Sequence, residues 1–408
     1  MKEEIYSVTL HGEHVGALQR LGAFAKFVVD HDYWNRPGRS VLGQWFEDHR
    51  RAQPHATNSI PAWFSNLLPE GRLRDLIAQE QGVRASSEMD LLARIGRDLP
   101  GAVAVILEDT VEMEKGFDEV PGTVSSDALT PIPTRASLAG MALKFSVRRE
   151  GDRLAVPVHG EDGDWILKTP DPQYPGLPAN EYATMRLAGQ VRIDIPEIAL
   201  WERSSIDELA PGAWPTEETQ AYAVRRFDRT AQGRVHTEDF AQVLGQYGIG
   251  ERKYRSTVET TAAIAYRGHD HASIRELVRR TVFNLLAGNG DAHLKNWSLI
   301  YRDRRTASLS PAYDLVCTAP YLPSPDNPVL GLPFFGARTL GDVTREHFSR
   351  LQEVLRVGHE DVLDVVDETC ERFRGLWADG AADRMPPPVA EWIGAHLEDA
   401  LSRLRDES

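Results

Sequence analysis

The hydrophobic period changes along this chain, and that change restricts the folds open to it more than any other feature. Residues 5–10, then His11-Gly12-Glu13, then residues 15–18 read as a β-hairpin with a glycine-containing turn. In residues 72–81, Leu73, Leu76 and Ile77 recur at helical spacing, and that helix should stop near Gly82. Short apolar runs at residues 144–147, 165–167 and 222–224 predict strands of a second, mixed unit, interrupted by a helix at about residues 180–189. From Ser273 onward the period is helical. Ser273 and Glu276 make a capping box, and Ile274, Leu277, Val278, Val282, Leu285 and Leu286 form one stripe that ends at Gly288-Asn289-Gly290. A last helix is expected after Pro386-Pro387-Pro388, burying Val389, Trp392, Ile393, Leu397, Leu401 and Leu404.

A chain of 408 residues exceeds what one core serves, since single cores stop growing near roughly 250–300 residues. Residues 109–134 are rich in acids, Gly, Ser, Thr and Pro without an apolar period, and mark a connection. The expected units are 1–110 (β-rich), 111–227 (mixed) and 228–408 (helical). Against 46 basic residues stand 61 acidic ones, a net charge of −15. That field repels phosphate backbones, so direct nucleic-acid binding is not expected. Cys317 and Cys370 have no metal-type spacing and fit a reducing cytoplasm. No apolar run is long enough to span a bilayer and the first residues lack a signal-peptide core, so neither membrane insertion nor export is expected.

The chemistry concentrates in Gly288-Asn289-Gly290-Asp291-Ala292-His293-Leu294-Lys295-Asn296. Phosphoryl transfer needs a carboxylate to orient the acceptor hydroxyl and a nearby amide oxygen to hold a metal. Asp291 and Asn296 stand five positions apart, the spacing of Asp and Asn in the kinase catalytic loop. Lys295 is a candidate point charge beside the transferring phosphate. The same residues also suit a plain helix cap and turn. Asp314 follows eighteen residues after Asn296, where a strand and a returning strand would bring its carboxylate back beside that amide on Mg²⁺. Lys168, behind Trp165-Ile166-Leu167, is a strand lysine suited to nucleotide phosphates, with Glu181 on the next helix as its candidate partner.

These segments resemble the HipA kinase family through most of the chain. The similarity runs through Pro61-Ala62-Trp63-Phe64-Ser65-Asn66-Leu67-Leu68-Pro69-Glu70-Gly71, residues 91–103, Ser137-Leu138-Ala139-Gly140-Met141-Ala142-Leu143-Lys144, Val224-Arg225-Arg226-Phe227-Asp228-Arg229, the Asp291 loop and Ala312-Tyr313-Asp314-Leu315. The resemblance implies a kinase-like two-lobed α/β (α+β) fold and a serine/threonine protein kinase using ATP and Mg²⁺. Asp291 would be the catalytic aspartate, and Asn296 and Asp314 the metal ligands. Ala139, Gly140, Met141, Ala142, Leu143 and Lys144 would form the phosphate loop, and Lys168 would hold nucleotide phosphates. Arg225, Arg226 and Phe227 would be the hinge against adenine, with Asp228 next to the ribose. His293, Lys295 and Tyr313 would complete the nucleotide contacts. Ser137 would be an autophosphorylation site whose modification pulls the loop out of the ATP pocket and switches the kinase off, since a phosphate of about −1.5 to −2 charge does not stay packed beside ATP.

The family also implies a protein substrate, often an aminoacyl-tRNA synthetase or other translation factor, and a HipB-like DNA-binding antitoxin as partner. This chain departs from the pattern at Met141, where a small residue is usual, at Ala142, where Gln is usual, and at Arg225, where the hinge has Glu. The amide lost at Ala142 removes a hydrogen bond worth about 0.5–1.5 kcal/mol. Two other functions fit parts of the sequence. One is a metal-dependent phosphohydrolase using Asp291 and His293 as ligands, although the histidines are scattered. The other is a catalytically weak module that acts as corepressor with the antitoxin, which the altered loop favours.

Overall fold

The hairpin at the start of the chain lies within a five-stranded antiparallel sheet, ordered His55–Thr57, Phe24–Val29, Glu13–Leu21, Lys2–Leu10, Val103–Glu112. The computed structural model describes residues 2–112, 143–155, 163–207, 209 and 212–405. Alternation turns Tyr6, Val8 and Leu10 to one face, where they are buried with Phe27, Phe46, Trp63 and Phe64. The helices Gly71–Glu80 and Glu88–Ile95 add Ala78, Met89, Leu91 and Leu92 to this first core.

The second sheet has six strands, in the order Ile206–Asp207, Arg153–Ala155, Lys144–Glu150, Trp165–Lys168, Gln220–Arg225, Ile198–Glu202. One face carries a small core of Val147, Leu154, Trp165, Leu167, Trp214, Ala221 and Ala223. Residues of the opposite parity, Tyr222 and Val224, join the large core instead, as does the helix Leu177–Gln190 through Met185, Leu187 and Ala188. Those residues of the mixed unit therefore share a core with residues beyond 228. That helix begins three residues before the expected start, after Gly176 at φ 75°, with a proline in its first turn.

The large core is helical, built on His271–Leu286, Leu363–Ala378 and Pro387–Leu404. Every residue of the two expected stripes is buried. The start of the first of these helices differs from the expectation. Its N-cap is Asp270, whose Oδ1 accepts the Ser273 N–H at 3.0 Å, so Ser273 is the third helical residue. Asp caps as well as Ser and comes first in the chain. Glu276 is turned to Arg280 and to the Asp194 N–H. Cys317 and Cys370 are buried free thiols. Among the described residues no helix is long and apolar enough to cross a membrane.

Candidate active site

The helix His271–Leu286 ends where Gly288 adopts φ 71°, the left-handed conformation that glycine supplies without strain. Hydrogen bonds then fix the following loop. Asn289 receives the Asp291 N–H on Oδ1 (3.1 Å), Gly290 N–H donates to Thr318 Oγ1 (2.8 Å), and Asn296 Nδ2 donates to the Asp291 carbonyl (2.9 Å). The last bond ties together the aspartate and amide singled out by spacing. Asp291 is buried, and its Oδ1 accepts the Tyr254 hydroxyl at 2.6 Å.

Strands Ser298–Tyr301 and Ser308–Leu309 pair antiparallel and return the chain to Asp314. Asn296 and Asp314 line one cavity with Asn289 and Tyr313. Asp314 sits at φ 55°, a conformation uncommon for a residue with a side chain and a frequent mark of functional sites. Its carboxylate meets two lysines. Lys144 and Lys168 are directly opposite on neighbouring antiparallel strands, so both ammonium groups leave the same sheet face. Lys144 Nζ lies 2.8 Å from Asp314 Oδ2, while Lys168 pairs with Asp314 Oδ1 and with Glu181. Burial alone would raise the Asp314 carboxyl, but Lys144 and Lys168 hold it far below the usual carboxylate range. Burial would lower Lys144; Asp314 carries it up to about 12.

A second charged group lies beside His293. Glu70, from the N-terminal module, is 2.9 Å from Lys253 Nζ and 3.5 Å from Lys295 Nζ. Burial would raise Glu70, yet Lys295 and Lys253 bring it down to about 2. Burial pushes His293 down to about 3, with Lys253 adding to the effect, so its imidazole is neutral. Neither of its ring nitrogens has a hydrogen-bond partner among the described residues, and its ring meets that of Tyr254 edge-on at 5.2 Å. Lys295, expected along a phosphate, is turned to Asp239 (3.0 Å), the Asn66 carbonyl (2.8 Å) and Glu70, which satisfy its donors without a ligand.

At the hinge, Arg225 N–H donates to the Glu197 carbonyl and Arg226 N–H to the Asp164 carbonyl, both at 2.8 Å. The Arg225 side chain is exposed and pairs with Glu197. The Phe227 and Tyr313 rings are 5.8 Å apart. Asp228, expected beside a ribose, is buried and held by Arg226 (2.9 Å), Arg229 (2.7 Å) and the Gly101 N–H (2.8 Å). A buried carboxylate needs such partners, and here they bind the hinge to the N-terminal module rather than leave an acceptor for a sugar. Ser137, Ala139, Gly140, Met141 and Ala142 lie outside the described residues. Leu143 is buried and accepts the Thr169 N–H on its carbonyl.

The donor set suits a hard divalent cation and a polyphosphate. Asp314 is held ionised, and Asn296, whose amide nitrogen is occupied by the Asp291 carbonyl, has its amide oxygen left as a donor on the same cavity. Two lysines on one sheet face supply the positive charge. Among the described residues no three His, Cys, Asp or Glu side chains gather in metal-holding positions, as a His-rich hydrolase centre would need. Tyr254 and Lys253 were not singled out by sequence, which offers no local signal for them, and Glu70 lies in a segment that carries the resemblance but was given no role.

A model of the HipA-like C-terminal domain matches residues 136–377, and one of the HipA N-terminal domain matches residues 6–106. A Sinorhizobium fredii protein named "Putative kinase Y4dM" is 38% identical over 407 residues, covering 97% of either chain. The serine/threonine-protein kinase toxin HipA of Shewanella oneidensis is 27% identical over 295 residues, 65% of this chain and 64% of that one. A solved structure of the Shewanella oneidensis HipA, HipB and operator DNA complex aligns with a TM-score of 0.73 and 20% identity, covering 98% of this chain and 96% of that one. At that identity the likeness speaks to the fold, a two-lobed, kinase-like α/β arrangement. With two domain models in order and a relative similar from end to end, the chain belongs to the HipA family.

Proposed function

We propose that this chain is an ATP-dependent serine/threonine protein kinase. The observation that carries the reading is the convergence of Asp314 on Lys168, with Lys168 also paired to Glu181, beside the loop that ties Asp291 to Asn296. In that reading Lys168 and Lys144 hold the phosphates of ATP, and Asn296 and Asp314 hold Mg²⁺. Bound there, Mg²⁺ would neutralise charge on the phosphate oxygens. Arg225, Arg226 and Phe227 face adenine, and the neutral His293 offers a ring nitrogen to a phosphate or hydroxyl. The acceptor oxygen forms a bond to the γ-phosphorus as the bond from that phosphorus to the β–γ bridging oxygen breaks. ADP leaves with that electron pair, and the hydroxyl proton passes to Asp291.

Ser137 is the proposed autophosphorylation site, and a translation factor such as an aminoacyl-tRNA synthetase the proposed substrate. A HipB-like DNA-binding antitoxin is the proposed partner, supported by the fold shared with the Shewanella oneidensis HipA solved with HipB and operator DNA. The partner would supply the phosphate contacts that a chain of net charge −15 does not favour.

The test is incubation of the purified chain with labelled ATP and Mg²⁺, alone and with cell lysate. Transfer to the chain or to a lysate protein is expected, and Asp291→Asn should lower it by about 10²–10⁴-fold. A folded wild type that transfers nothing, or an Asp291→Asn variant as active as wild type, overturns the reading. Binding of an antitoxin that survives Asp291→Asn while wild-type transfer is absent would favour the corepressor function instead.

A further inference from the structure

Asp291 is reached from the N-terminal module through a short segment that the catalytic motif does not include. The 3₁₀ turn Gly250–Tyr254 ends in Lys253 and Tyr254, both buried. The Tyr254 hydroxyl donates to Asp291 Oδ1 at 2.6 Å, and Lys253 Nζ is 2.9 Å from Glu70 Oε2. A turn of this length has little stability of its own, because its hydrogen-bond geometry is poor and its nucleation costly. Its place is set by what it docks against.

That docking surface is the N-terminal module. Asn66 Nδ2 donates to the Gln246 carbonyl at 2.7 Å, and Asn66 Oδ1 accepts the Gly248 N–H at 2.8 Å. The Tyr247 hydroxyl donates to the Ile60 carbonyl at 3.0 Å. Glu70 is the N-cap residue of the helix Gly71–Glu80, yet its side chain makes no capping bond. The carboxylate reaches instead to Lys253, next to Tyr254, and to Lys295, next to Asn296. It thus touches neighbours of both groups that hold the Asp291 residue, the hydroxyl on its side chain and the amide on its carbonyl.

We propose that Tyr254 is a positioning residue for Asp291 and that Asn66 and Glu70 of the N-terminal module hold the turn that carries it. The inference rests on the kinase reading above. Tyr254 makes and breaks no bond in the transfer. By holding one carboxylate oxygen it restrains rotation of the Asp291 side chain, and so the direction from which the carboxylate meets an acceptor hydroxyl. Misplacement of such a group by about 1 Å costs roughly 10²-fold in rate. The N-terminal module is on this account part of the catalytic centre's support.

The experiment compares wild type, Tyr254→Phe, Glu70→Gln, the double variant and Asp48→Asn as full chains. Asp48 pairs with Arg267 across the same two modules at an exposed position and serves as a control for general loosening. The rate of labelled-phosphate transfer is measured against ATP concentration, on the chain itself or on the lysate protein that wild type labels. Tyr254→Phe should lower kcat about 10–100-fold while the KM for ATP moves less than about threefold. Glu70→Gln should lower kcat about tenfold, and the double variant should fall short of the product of the two factors, because both act through one turn. Asp48→Asn should keep the wild-type kcat.

A Tyr254→Phe variant with wild-type kcat, a loss seen only in KM, a fully multiplicative double variant, or an Asp48→Asn variant as impaired as Glu70→Gln each overturn the proposal. Should Tyr254→Phe melt below the assay temperature, Glu70→Gln against Asp48→Asn decides it with the same outcomes. Failure of wild type to transfer phosphate overturns the kinase reading itself, whereas wild-type transfer with an unimpaired Tyr254→Phe overturns only this inference.

Discussion

Two ammonium groups directly opposite on adjacent strands repel one another unless an anion lies between them. Lys144 and Lys168 are so placed, and Asp314 is that anion, with Glu181 behind Lys168. Removing one partner of a buried ion cluster costs about 3–5 kcal/mol, and the partial exposure of Lys144 keeps the cost near the lower end. Asp314→Asn should therefore destabilise the chain by about 3 kcal/mol in urea unfolding, as well as abolish transfer. A variant as stable as wild type would show that the lysines do not depend on it. The pairing of Lys168 with Glu181 and the approach of Asp314 to the Asp291–Asn296 loop were legible in the sequence because each residue sits in a short segment whose residue types and spacing carry chemistry. The contacts of Tyr254 and Glu70 were not, since their partners Asp291 and Lys253 are 37 and 183 residues away. Lys295 and Asp228 are likewise turned to partners in distant segments, Asp228 in addition to its neighbours Arg226 and Arg229. Their acceptors and donors, Glu70, Asp239 and Gly101, belong to segments whose approach only the tertiary fold creates.

The helix His271–Leu286 delivers the Asp291 loop, so its start and end fix where that loop begins. Its stripe and its glycine stop were legible because burial follows the 3.6-residue period and Gly288 supplies a left-handed cap. Its start was placed too late, since Asp270 and Ser273 are both good caps and propensity alone does not choose between them. Geometry does. Asp270 takes the Ser273 N–H on one oxygen and the Ser273 hydroxyl on the other, while Ser273 Oγ receives the Leu309 N–H at 2.8 Å. Asp270→Ala should cost about 1 kcal/mol through the lost cap. Ser273→Ala should cost about 1–3 kcal/mol, because it orphans a buried N–H on the strand that leads to Asp314. Thermal unfolding of the two variants tests the assignment; an Asp270→Ala melt equal to wild type would return the cap to Ser273.

At the scale of the whole molecule, the N-terminal module is joined to the helical lobe by buried polar groups as well as apolar ones. Gly101, at φ 73°, brings its backbone against Thr237 so closely that an added Cβ would lie 2.8 Å from the Thr237 nitrogen, and its N–H reaches Asp228. Next to this seam Glu238 is buried, and among the described residues no cation is in ion-pair contact with it. It accepts the Gln44 N–H (2.8 Å), the Trp63 Nε1–H (3.1 Å) and the Tyr301 hydroxyl, with Asp239 adding repulsion and Arg267 the nearby positive charge. Burial pushes Glu238 up to about 7 against the pull of those hydrogen bonds. An unfolded glutamate titrates near about 4.3. Between those values the folded chain holds a proton that the unfolded chain has released, so the stability from this group is fully present below about pH 4 and is lost as pH rises through about 7, at up to about 1.4 kcal/mol per pH unit. Other carboxylates, such as Glu70, are held low and act in the opposite sense at acid pH, so the group must be isolated by difference. Urea unfolding of wild type and Glu238→Gln across about pH 5 to 8 does this. The stability of wild type relative to the Gln variant should fall by about 2 kcal/mol over that range. Parallel curves would mean that Glu238 stays ionised at the seam, held by its three donors, and that the joint between the modules does not loosen as pH rises.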